Sequence, residues 1–184
     1  MAVKASTEVS VKGSDSGAER RRQILAWMRE HGDPIRGSEL ARRFRVSRQC
    51  LVQDVAILRA SGEEIMATPR GYQILKPKEQ AYRAVLACRH KPERTQEELQ
   101  TLVDFGVRVL DVIVEHPLYG ELRGSLMLES RADVEGFLKQ VRSLKATLLS
   151  ALTGGIHLHT VEASRPEAIS RAKAELRKRG ILLK

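Results

Sequence analysis

The chain has 184 residues, room for one large domain or two small ones, and with 42% hydrophobic and 30% charged residues its composition is globular. No apolar run reaches the roughly 18 residues of a membrane span, the N-terminus has no apolar leader, and two cysteines, Cys50 and Cys88, form no CxxC pair, so a soluble protein of the reducing cytoplasm is expected. The balance of 32 Lys+Arg against 23 Asp+Glu, a net +9, favours a polyanionic partner, and 4% aromatics leave a mostly aliphatic core.

In chain order, residues 1–17 are Ser, Gly, Lys and Val without periodicity and read as a disordered arm. Ile24, Leu25 and Met28 recur at helical spacing before a stop at Gly32. Ser38 is placed to N-cap a short helix from Glu39 to Phe44, with Leu40, Ala41 and Phe44 facing inward. Arg45-Val46 is a tight turn. Ser47 then caps a third helix with Leu51, Val52, Val55 and Leu58 as its apolar stripe. Ile65–Thr68, a Pro69-Arg70-Gly71 turn and Tyr72–Leu75 form a β-hairpin. Three helices and a hairpin describe a winged helix-turn-helix over 18–76.

The Lys76-Pro77-Lys78-Glu79 stretch marks a boundary, and residues 77–184 alternate strands and helices. Strands are expected at Tyr82–Ala87, Val107–Val114, Leu122–Leu128, Ile156–Val161 and Ile181–Leu183. Helices are expected at Thr95–Phe105, after Ser130, and after a Ser164-x-x-Glu167 capping box. The second domain is therefore an α+β sandwich.

The densest basic stretch, Arg36 to Arg48, holds five Arg and one Glu and leads into the third helix. Gln49 and Gln53 lie one turn apart on the side away from Leu51, Val55 and Leu58, where Gln can read adenine through a bidentate contact. Ser47 and Arg48 open that helix, Arg42 and Arg43 are placed for phosphates, and Arg70 sits at the wing tip. A solvated basic face is the alternative for any single Arg; the combination reads as a binder of double-stranded DNA. The stretch Gly37-Ser38-Glu39-Leu40-Ala41, Val46-Ser47-Arg48-Gln49 and Val52-Gln53-Asp54-Val55 resembles the winged-helix half of the niacin-responsive repressor family NiaR, and Thr68-Pro69-Arg70-Gly71-Tyr72 looks like that family's wing. Cys50 stands at an outward position where the family suggests Thr; it reads as a bystander thiol or a redox sensor.

Four of the five histidines lie after residue 77: His90, His116, His157 and His159. His157 and His159, two apart on a strand, share a face, and Thr153-Gly154-Gly155 ahead of them allows close backbone approach. With His90 at a strand end and Glu98 eight residues on, three nitrogens and a carboxylate would suit Zn²⁺, Ni²⁺ or Fe²⁺ better than Ca²⁺ or Mg²⁺. The competing reading makes Glu98 the last residue of a Thr95-x-x-Glu98 capping box and His90 an ordinary strand-end residue.

Arg89-His90-Lys91, Glu115 to Glu121, and above all Gly154-Gly155-Ile156-His157-Leu158-His159-Thr160 resemble the 3H domain, which is joined to the winged helix in NiaR. The resemblance implies metal ligation by His90, Glu98, His157 and His159, nicotinic acid as effector, and a homodimer on an operator. His116 and Tyr119 are candidate effector contacts, with a structural role for the His116 loop as the alternative. The expectation is a non-enzymatic repressor of NAD-biosynthesis or niacin-uptake genes. A metal-dependent enzyme on nicotinate-like compounds with an attached nucleic-acid-binding module is the second hypothesis, but no Ser/His/Asp set, P-loop or GxGxxG supports it.

Overall fold

The computed structural model describes residues 14–74 and 81–183, with side chains from residue 17 onward. The chain divides into two compact units, Met1–Leu75 and Lys76–Lys184.

In the first unit α1 (Ser14–Glu30), α2 (Gly37–Arg43) and α3 (Arg48–Ala60) precede a hairpin of β1 (Ile65–Thr68) and β2 (Gly71–Ile74). The expected arm falls outside the described residues as far as 13, but 14–17 open α1 instead, a Ser-Asp-Ser start being a good helix N-terminus. Ile24, Met28, Leu40, Leu51, Val55 and Leu58 meet in one core. Two expectations fail. Ser38 is not a cap: α2 starts at Gly37, after Arg36, whose side chain makes no cap hydrogen bond. Val52 is 47% exposed, because Asp54 rather than Val52 turns inward. Asp54 is 2% exposed and accepts from Arg20 at 2.7 and 3.1 Å and from Arg21 at 3.4 Å, pinning α1 to α3.

The hairpin register runs from Ile65↔Ile74 to Thr68↔Gly71, leaving a two-residue Pro69-Arg70 turn. Ile35 adds a bridge to Tyr72, exchanging two backbone hydrogen bonds of 2.8 Å. Gly71 makes that approach with φ +139°, and a Cβ there would collide with the Ile35 carbonyl.

The second unit is a four-stranded antiparallel sheet in the order β3-β6-β4-β5, from β3 (Tyr82–Arg89), β4 (Arg108–His116), β5 (Gly120–Leu128) and β6 (Ile156–Ala163). Helices α4 (Thr95–Asp104), α5 (Arg131–Ser143) and α6 (Pro166–Lys178) complete it. Its core joins Leu86, Leu99, Leu102, Leu128, Val134, Val161 and Leu176. Ser130 caps α5 as expected, in a reciprocal box with Asp133. The Ser164-x-x-Glu167 box does not form: Arg165 is the N-cap and Pro166 takes the first helical position, where its missing N–H costs nothing. Ile181–Leu183 is not a strand of its own but touches the sheet through one bridge, Cys88↔Leu182. No described helix is long and apolar enough to cross a membrane.

Candidate metal centre and nucleic-acid interface

β6 lies between β3 and β4, so anything on its inner face is shielded by a neighbour on each side. His157 and His159 occupy that face, both 3% exposed. His90 follows the end of β3, and Glu98 lies in the first turn of α4, 7% and 0% exposed. All four converge. The Glu98 carboxylate lies 2.7 Å from Nε2 of His90, 3.2 Å from Nε2 of His157 and 3.4 Å from Nε2 of His159.

Each imidazole is oriented from behind by a backbone carbonyl that accepts from its Nδ1. These are Lys91 O for His90 at 2.8 Å, Gly155 O for His157 at 2.9 Å and Asp111 O for His159 at 2.6 Å. A carbonyl can only accept, so the Nδ1 atoms carry protons, and the Nε2 atoms all face the Glu98 carboxylate. Such outer partners fix ring orientation in metal sites.

Burial opposes ionisation of Glu98, yet the charge of His159 and the hydrogen bonds to His157, His159 and His90 outweigh it and hold the carboxyl well below its usual range. Burial likewise opposes charging of His90 and His159, but the Glu98 carboxylate raises both. A carboxylate facing three imidazoles, all withdrawn from water, is a donor set able to hold a cation.

Two residues join this set that the one-dimensional pattern did not indicate. Cys88 Sγ, a Glu98 oxygen and a His157 nitrogen lie within 4.8 Å of one another, and burial, reinforced by the Glu98 charge, pushes the Cys88 thiol up. Thr95, 7% exposed, has a hydroxyl without a hydrogen-bond partner. The Thr95-x-x-Glu98 capping box is absent: α4 is preceded by a 3₁₀ turn over Pro92–Arg94, its N-cap is Arg94, and Glu98 is turned to the histidines. A cavity of about 30 Å³, lined by Thr95, Glu98, the three histidines, Phe137 and Leu149, adjoins the cluster.

His116 and Tyr119 are not part of this arrangement. His116 Nδ1 accepts from the backbone N–H of Leu118 and Tyr119 at 3.2 and 3.3 Å, and its ring stacks on Tyr119 at 5.0 Å. This ring caps the β4–β5 turn, the structural role given above as the alternative.

In the first unit Ser47 Oγ accepts from Cys50 N at 3.1 Å, so the start of α3 is capped as its sequence indicated. Arg42, Arg43, Ser47, Arg48, Gln49 and Gln53 are exposed and Arg70 is half-buried at the hairpin turn. Arg43 lies over the Trp27 ring at 4.6 Å, which holds its charge at the surface. The Arg48 guanidinium packs against Gly37, so a Cβ there would have to push that flexible side chain aside.

Comparison with known proteins covers both units. The 3H domain family matches residues 83–184 and a helix-turn-helix (HTH) domain family matches residues 20–73. Transcription repressor NadR of Bacillus subtilis is 44% identical over 171 residues, covering 91% of this chain and 95% of that protein. The probable transcription repressor NiaR of Thermotoga maritima is 43% identical over 165 residues, covering 90% and 94%.

Proposed function

The chain belongs to the 3H-domain family of helix-turn-helix transcription repressors, and from that premise we propose that it represses genes of NAD biosynthesis or niacin uptake, with nicotinic acid as co-repressor and a divalent transition metal in the second unit. The observation that carries the regulatory half is the convergence of His90, Glu98, His157 and His159, each under one tenth exposed, on one point. Three nitrogens and one carboxylate suit Ni²⁺, Zn²⁺ or Fe²⁺, and the buried Thr95 hydroxyl beside them is a further polar atom lining the same cavity. When bound, the ion would supply the positive charge that a buried pyridine carboxylate requires.

The protein's own groups do the rest. The carbonyls of Lys91, Gly155 and Asp111 hold the rings, and Glu98 offsets the positive charge. The adjoining cavity, about 30 Å³, holds about two waters, so a pyridine ring must displace its apolar wall, Phe137 and Leu149 among it. That displacement is the event through which the effector would favour one state of the protein.

On the DNA side, Gln49 and Gln53 would read bases with Arg48 alongside, while Arg42, Arg43, Ser47 and Arg70 would position the backbone. A homodimer would match the two halves of a palindromic operator. The experiment is an operator gel shift with and without nicotinic acid, on metal-loaded and metal-stripped protein. The expected result is tighter operator binding with nicotinic acid only when metal is present; indifference to nicotinic acid at every concentration overturns the co-repressor assignment.

A further inference from the structure

We propose that Cys88 is a ligand of the metal centre, which makes it a mixed thiolate, imidazole and carboxylate site; the inference rests on the metal reading above. Cys88 on β3 stands directly opposite His157 on β6, and directly opposed residues of an antiparallel pair share a face. Both side chains therefore project from the same side of the sheet toward Glu98.

The separations suit one ion. Sγ, the carboxylate oxygen and the imidazole nitrogen are mutually within 4.8 Å. Zn–S and Zn–N bonds of roughly 2.3 and 2.1 Å at a tetrahedral angle place two donors roughly 3.6 Å apart, so closure needs a movement of up to roughly 1.2 Å. Cys88 is fully buried, as are Glu98 and His157, so no solvent competes for these donors.

Cys88 also touches the apolar core, and a core thiol would need no metal. The two roles differ in chemistry. A thiolate ligand favours softer ions such as Zn²⁺ and Co²⁺ and does little for a hard ion such as Mn²⁺. A packing thiol would affect all of them alike.

The test uses full-length protein stripped of metal and reloaded. X-ray absorption of the Zn²⁺ form is expected to show a sulfur neighbour at about 2.3 Å beside nitrogen and oxygen at about 2.0–2.1 Å. The Co²⁺ form is expected to show a sulfur-to-metal charge-transfer band, retained in Cys50→Ser and lost in Cys88→Ala. Cys88→Ala should weaken Zn²⁺ by more than the about 10–100-fold typical of losing an outer-shell partner while leaving Mn²⁺ within about 3-fold. A shell of nitrogen and oxygen alone, or equal loss of Zn²⁺ and Mn²⁺, overturns the Cys88 assignment and leaves the histidine–glutamate site standing. A protein that retains no metal overturns both. The absorption experiment on the unaltered protein decides even if Cys88→Ala does not fold.

Discussion

His90 and His157 are tied to the same atom. The carbonyl oxygen of Gly155 accepts the Nδ1–H of His157 at 2.9 Å and the backbone N–H of His90 at 3.3 Å, so one peptide group sets the positions of two of the rings around Glu98. Gly155 has φ +94°, and a Cβ on it would collide with the His90 carbonyl. Gly155→Ala is therefore expected to cost about 1–3 kcal/mol of stability from backbone strain, measured by urea unfolding, and to loosen metal binding as well. Unchanged metal affinity would mean that the shared carbonyl does not orient the rings.

His159→Ala removes a proposed metal ligand whose Nδ1 is fixed by Asp111 at 2.6 Å. Metal content after dialysis, read by mass spectrometry, is expected to fall by more than the about 10–100-fold typical of losing an outer-shell partner. The response of operator affinity to nicotinic acid should vanish with it, while nonspecific DNA binding persists. A metal-free variant that still responds fully would reduce the ion to a structural role.

Substitutions at Gln49 and Arg43 are expected to separate base reading from charge. Gln49→Ala should lose roughly 1–3 kcal/mol at one base pair and relax preference there. Arg43→Ala should weaken all sequences alike and reduce the slope of binding against log salt by roughly one. Loss of cognate binding alone in Arg43→Ala would place this residue in the groove instead.

Arg20→Ala strips the bidentate partner from Asp54, which is 2% exposed, and leaves Arg21 at 3.4 Å. The cost is that of a buried carboxylate losing its main hydrogen bonds, about 1–3 kcal/mol. Adding Asp54→Asn should recover part of it, a coupling readable in a double-mutant cycle.

Hydrogen bonds from Arg131 at 2.6 and 2.5 Å, more than mild desolvation, hold Asp104 below the usual carboxylate range. A lowered folded value means stability present above the unfolded value and lost as pH falls through the folded one. Arg131→Ala should thus lower the melting temperature slightly at neutral pH, and its curve should merge with that of the unaltered protein in strong acid. A gap that persists there would indicate packing rather than charge.

Most of the architecture was legible because apolar spacing marks buried faces. The wing hairpin, the Ser47 cap and the His-x-His strand all follow from local pattern. Three features were not. Glu98 fits both a capping box and an inward ligand by spacing, and only the 3₁₀ turn before α4 decides between them. Cys88 becomes informative only once strand register sets it opposite His157. Asp54 sits at a position that an apolar-stripe argument assigns to solvent, because its arginine partner is 34 residues earlier.

The spread of the histidine–glutamate cluster along the chain also governs when it can exist. His90 and Glu98 are 8 residues apart, whereas His157 and His159 are 59 and 61 residues from Glu98. During synthesis the early pair emerges well before β6, and closing the longer loop carries a larger entropy cost than the short one. The helix-turn-helix, the whole of which is made first, is thus finished before the second unit has any means of answering a small molecule. A chain truncated before β6 is expected to keep its basic helix, and with it nonspecific DNA association, but not the gain in operator affinity on adding nicotinic acid.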